Sequence, residues 1–146
     1  MIFPFFKNTR TKSPIILPIF WMNYAALFLK EEAVDSQSKF IVIDTETTGF
    51  DYEKDRILCI GAVLLEKSQI AVKDSFEVYL TQDHYNSDST PIHGILKEEK
   101  KEKTAEIEAL KSFLTYIGNA PIIAHHTMFD VNMINKALHR QGLPSL

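Results

Sequence analysis

One stretch constrains this chain more than any other: Phe40-Ile-Val-Ile-Asp44-Thr45-Glu46-Thr47-Thr48-Gly49. A short β-branched apolar run bounded by turn residues reads as a buried strand. In a strand, residues i and i+2 point to the same face. Asp44 and Glu46 therefore project together at the end of an otherwise apolar strand, and Thr47-Thr48-Gly49 turns the chain away. Two close carboxylates repel each other unless a cation or a proton intervenes. Hard oxygen donors of this kind suit Mg²⁺ or Mn²⁺ better than zinc. On spacing alone the pattern answers equally to a cation-binding pair and to a solvated strand end.

The remaining strands and helices follow from periodicity. Ile57–Leu65 and Ile70–Leu80 read as a second and third strand, joined by the short connection Glu66-Lys67-Ser68-Gln69 as a hairpin. Residues 81–96 read as a loop, and the mixed-sign run Lys97–Lys103 as a solvated surface leading into a helix. That helix is predicted from Thr104, as cap, to Ile117, with Ile107, Leu110, Phe113, Leu114 and Ile117 on one face and Gly118 as its stop. Pro121-Ile-Ile-Ala-His125 reads as a fourth strand. Met128–Gln141 reads as a helix with Val131, Ile134 and Leu138 inward, ended by Gly142. The order β-β-β-α-β-α predicts an α/β domain with a mixed sheet and helices packed against it.

Asp130 follows the fourth strand, in His125-His126-Thr127-Met128-Phe129-Asp130. By itself it is a first-turn acid favoured by the helix dipole. It becomes a third candidate ligand if the fourth strand lies beside the first, which would bring it toward Asp44 and Glu46.

Residues 1–36 differ from the rest. Lys7, Arg10 and Lys12 precede the apolar stretch Ser13–Leu29. No small-residue cleavage site follows it, as a signal peptide would require. A membrane span needs about 20 apolar residues, whereas Pro14, Pro18 and Asn23 interrupt this run. The favoured reading is an amphipathic helix from near Pro18, with Phe20, Tyr24, Leu27 and Phe28 on one face and Trp21 widening it. Membrane association is disfavoured. The chain divides into an N-terminal extension, 1–36, and a domain over 38–146.

Composition narrows the function. The 146 residues are 45% hydrophobic and 24% charged, which suits one globular domain. A net charge of −3 and a pI near 5.9 exclude a global basic field for long nucleic acid. The lone cysteine, Cys59, lies in an apolar run and reads as a buried thiol in a reducing, cytoplasmic setting.

Four blocks, in order, resemble one family. Phe40–Phe50 is similar to the first motif of the DEDD exonucleases. Asp55–Val63 resembles their second strand, Pro91-Ile-His-Gly-Ile95 their substrate loop, and Ile123–Asp130 their second motif. The resemblance is strongest to the proofreading exonuclease subunit of bacterial replicative DNA polymerase. It implies a ribonuclease H-like fold and release of nucleoside 5′-monophosphates from the 3′ end of single-stranded DNA or RNA, with DNA polymerase subunits as candidate partners. It implies two Mg²⁺ or Mn²⁺ ions held by Asp44, Glu46 and Asp130, with Thr45, Thr47, Gly49, His93 and His125 at the substrate. Cys59 stands where the family commonly has Glu, and His126 where it has Asn. The chain stops at Leu146, before the family's third motif with its general-base His and fourth Asp. The expectation is a partial domain lacking the C-terminal strand and helix, either an impaired exonuclease or a non-catalytic nucleic-acid-binding module.

Overall fold

The β-branched run forms strand β1, Lys39–Thr47, which pairs antiparallel with β2, Ile57–Glu66. β2 pairs antiparallel with β3, Gln69–Leu80, through the predicted hairpin. Its two turn residues, Lys67 and Ser68, both take positive φ, as two-residue hairpin turns demand. The computed structural model describes residues 16–29, 39–83 and 102–146. Among these, the sheet has five strands in the order β4-β3-β2-β1-β5, with β4 being Lys103–Thr104 and β5 Ile122–Ile123. The end strands β4 and β5 run parallel to their neighbours, so the sheet is mixed, as expected.

Helices α2, Glu106–Ile117, and α3, Thr127–Arg140, cover one face. Ile41, Ile43, Ile60, Ala62 and Leu80 share a single apolar cluster with Leu110, Phe113, Leu114, Met133, Ile134 and Leu138. The predicted inward faces are correct for both helices, with Val131 only half-buried. Glu106 ties their ends together. Its carboxylate accepts Arg140 at 2.8 and 3.2 Å, Gln141 at 3.0 Å and Gln82 at 3.4 Å. Burial alone would raise its pKa, but the Arg140 and Gln141 bonds outweigh that and lower it.

Three expectations are corrected. Thr104 does not cap α2: it pairs with Leu80 in β4, and its carbonyl accepts Thr81 N–H, leaving Ala105 at the cap. The helix start still carries Glu106 and Glu108, which suit its dipole. β5 is shorter than predicted because Pro121 has no N–H, and both backbone groups of Ala124 bond the Thr127 hydroxyl. The N-terminal helix α1, Ile19–Ala26, starts after Pro18 as expected and runs on as a 3₁₀ turn over Leu27–Leu29. Its anchor, however, is Trp21, buried in the main core beside half-buried Phe20 and Tyr24. Leu27 and Phe28 stay exposed, although the Phe28 ring packs edge-on against Tyr24 at 5.2 Å, so that part of the predicted face persists at the surface. Burial pushes the Tyr24 hydroxyl up to about 12. No described helix is long and apolar enough to cross a membrane. The linker at 31–38, most of the loop at 81–96 and Lys97–Lys101 lie outside the described residues.

One irregularity bears on the site. Glu46 lies opposite Cys59, but Thr47 lies opposite Ile57, so Leu58 is a surplus residue in β2. This bulge turns Ile57 into the main core and leaves Leu58 with Cys59 in a second cluster against Tyr79. Cys59 is buried and in no disulfide, as predicted.

Candidate active site

Burial alternates along β1. Ile41, Ile43, Thr45 and Thr47 are buried, whereas Asp44 is exposed and Glu46 half-buried on the opposite face. The two acids thus share a face, as their spacing requires. Asp44 lies across from Gly61, whose missing side chain leaves room beside it. An open cleft of about 440 Å³ runs over this face, lined by Val42, Asp44, Gly61, Val63, Ser75 and Glu77 among others.

Asp130 arrives from the edge of the sheet. Ile41 donates its N–H to Pro121 on the β5 side, and Thr45, of the same parity, aims its N–H the same way. β5 has ended by that point, and the first turn of α3 puts Asp130 there instead. Asp130 Oδ1 accepts both the Thr45 N–H, at 3.0 Å, and the Thr45 hydroxyl, at 2.7 Å. The fourth predicted strand does lie beside the first, and the buried Asp130 carboxylate, only 4% exposed, is anchored on the residue between Asp44 and Glu46.

The donor set consists of oxygens alone, which fits a hard divalent cation and not a soft one. Among the described residues no three His, Cys, Asp or Glu side chains are grouped closely enough to hold an ion. The arrangement is therefore an acid pair on one face, with a third acid locked to the strand between them.

The predicted substrate-side residues separate. Thr45 has its hydroxyl engaged by Asp130. Thr47, 9% exposed, donates its hydroxyl to the Gly49 carbonyl at 2.8 Å. Gly49 sits half-buried in the turn, and His125 is exposed just before α3. His93 lies outside the described residues. Sequence reasoning missed an aromatic group beside the turn. Phe50, 77% exposed, and Tyr52 each lie 5.7 Å from Phe129, and His126 stacks on the same ring at 6.4 Å. It also missed Asp55, although its place two residues before β2, next to Arg56, marks the point where the turn must close. Nearby, the Lys54 ammonium and the Glu53 and Lys54 N–H groups hold the Asp51 carboxyl below its usual range.

Comparison with known proteins identifies the family and the fold. The exonuclease family RNase_T matches residues 41–143. The DNA polymerase III subunit epsilon of Buchnera aphidicola is 33% identical over 109 residues, 70% of this chain and 46% of that one. The PolC-type DNA polymerase III of Clostridium perfringens is 33% identical over 113 residues, 77% of this chain and 8% of that one. The chain thus spans less than half the length of these relatives. Among solved structures, E. coli Exonuclease I in complex with a dT13 oligonucleotide superposes with a TM-score of 0.63 at 17% identity, over 74% of this chain and 25% of that one. At that identity the likeness establishes the fold, the ribonuclease H-like α/β architecture expected from the sequence. With the family matched from β1 to beyond the end of α3, this chain belongs to the RNase_T exonucleases and is similar among them to the epsilon subunit and PolC-type forms of bacterial DNA polymerase III.

Proposed function

We propose that this chain is the core of a metal-dependent 3′–5′ exonuclease that releases nucleoside 5′-monophosphates from single-stranded nucleic acid, of the type used in DNA proofreading or repair. The observation that carries the reading is the attachment of Asp130 to Thr45, between Asp44 and Glu46. It brings Asp130 to the strand end that carries Asp44 and Glu46, 86 and 84 positions earlier in the sequence. A solvated strand end needs no such partner.

In this reading Asp44, Glu46 and Asp130 hold two Mg²⁺ or Mn²⁺ ions. Bound ions of this class activate water and neutralise charge developing on the phosphodiester. The rest falls to the chain's own residues. Asp44 faces the open cleft beside Gly61, where a phosphate can approach. Thr45 fixes the Asp130 carboxylate with two donors, so that acid needs no reorganisation when substrate arrives. The Thr47–Gly49 turn and His125 border the terminal nucleotide, and the sequence resemblance assigns His93 a substrate contact as well. A flexible single-stranded end suits such a site, because the scissile bond must reach a recessed carboxylate. The epsilon-like sequence points to DNA polymerase subunits as partners and to the cytoplasm as the compartment.

The test is release of mononucleotides from a 3′-labelled single strand with Mg²⁺, for the wild-type chain and Asp44→Ala. Loss in the variant and in EDTA supports the reading. Equal rates remove catalysis and leave a nucleic-acid-binding module.

A further inference from the structure

Asp55 is not one of the three acids, yet it organises the turn that borders them. Its Oδ1 accepts the Thr48 hydroxyl at 2.8 Å, and its Oδ2 accepts the Asp51 N–H at 2.8 Å. Thr48 is fully buried, and its hydroxyl oxygen also accepts the Arg56 N–H at 3.0 Å. Backbone bonds from Thr48 N–H to Arg56 O and from Asp55 N–H to Asp51 O, at 2.9 and 2.7 Å, close the same loop. One carboxylate therefore joins both sides of a turn that leaves β1 after Thr47, one residue beyond Glu46, and enters β2.

The same carboxylate explains Gly49. The positive-φ glycines among the described residues are Gly118 and Gly142, so the backbone at residue 49 is open to any L-residue. Space is what forbids a side chain. A Cβ there would lie 2.5 Å from Asp55 Oδ2 and 2.8 Å from its Cγ and Oδ1. Gly49 lets the chain press against the carboxylate. That contact sets Thr47, bonded to the Gly49 carbonyl, and Phe50, packed on Phe129 next to Asp130.

We infer that Asp55 is a positioning residue, the clamp that fixes the 47–51 turn against which the substrate end lies, and the reason residue 49 is glycine. The substrate part of this inference rests on the exonuclease reading above; the clamp itself does not.

Two measurements test it. Thermal melts of Gly49→Ala, Asp55→Ala and the double variant form a cycle. Each single change is expected to lower Tm, and the double variant to melt with Asp55→Ala alone, because removing the carboxylate frees the space for the methyl group. A double variant whose losses simply add overturns the clamp. Kinetics on a labelled dT oligonucleotide then test positioning. Asp55→Ala is expected to raise KM roughly tenfold with kcat within about twofold, the pattern of lost substrate placement. Asp55→Asn is expected to fall between, since its amide keeps an acceptor for Thr48 but none for Asp51 N–H. If the wild-type chain releases no mononucleotide, the exonuclease reading fails separately. Positioning is then read from fluorescence anisotropy of the same oligonucleotide. Asp55→Ala binding as tightly as wild type, or a wild type that does not bind, overturns it.

Discussion

The odd-numbered and even-numbered residues of β1 face opposite sides of one sheet and answer to different physics. Ile41, Ile43 and Thr45 lie under α2 and α3, where close packing makes every missing methylene felt. Val42 and Asp44 line the cleft and Glu46 shares their face of the strand, where removing a side chain leaves no packed void. Stability should therefore respond to the first set and activity to the second. Thr45 joins them: its position belongs to the core, but its donors serve Asp130.

The largest expected effect breaks the packed side. Phe113, fully buried at the centre of the cluster, should cost about 3–5 kcal/mol on change to alanine, a large share of the roughly 5–15 kcal/mol by which domains are stable; urea unfolding measures it. The mirror experiment, Asp44→Ala, should leave the urea midpoint nearly unmoved and cut mononucleotide release by on the order of 10²–10³-fold, about 3–4 kcal/mol of transition-state stabilisation. Thr45→Val tests the residue that belongs to both sides. It removes one donor to a buried carboxylate, so a loss of about 1–3 kcal/mol in unfolding free energy is expected together with slower turnover. A normal turnover rate would show that Asp130 does not need this anchor. Gly61→Val fills the space beside Asp44, where a Cβ meets nothing closer than 3.9 Å. It should lower activity roughly tenfold while changing stability by less than about 1 kcal/mol. The smallest effect is acid sensitivity. The Glu106 pKa is lowered in the folded state, so its contribution is present above the ordinary carboxylate range and lost as pH falls through the depressed value. Glu106→Gln should flatten the acid limb of a Tm-against-pH profile and leave the cleft's activity unchanged.

How much of this could be read beforehand depends on what kind of interaction specified each part. β1, the hairpin to β3 and the buried faces of α2 and α3 are written as periods of apolar residues, because burial repeats with the geometry of the element. The acid pair was legible for the same reason, through the two-residue repeat of a strand. Asp130 could be named but not placed, since its position depends on β5 lying parallel to β1, a pairing between segments far apart in sequence. β4 escaped notice because two residues have no period, and Thr104 read as a cap until sheet pairing claimed it. The Asp55 clamp left even less trace. Its bonds are local and aperiodic, and its clearest mark is the absence of a side chain at Gly49. The exposure of Leu27 and Phe28 was not legible, because a shared apolar face, kept in the Tyr24–Phe28 ring contact, does not say how deeply it is buried.

The surplus Leu58 has a consequence for how such a chain tolerates changes of length. Pairing is in register on both sides of the bulge, with Glu46 facing Cys59 and Thr47 facing Ile57. Excising Leu58 would therefore leave every existing rung of the ladder matched, whereas a one-residue excision within a regular stretch of β2 would swap inside for outside along the strand. The central hairpin thus carries a slack link one rung from its acids, where the gene can gain or lose a codon without rewriting the sheet.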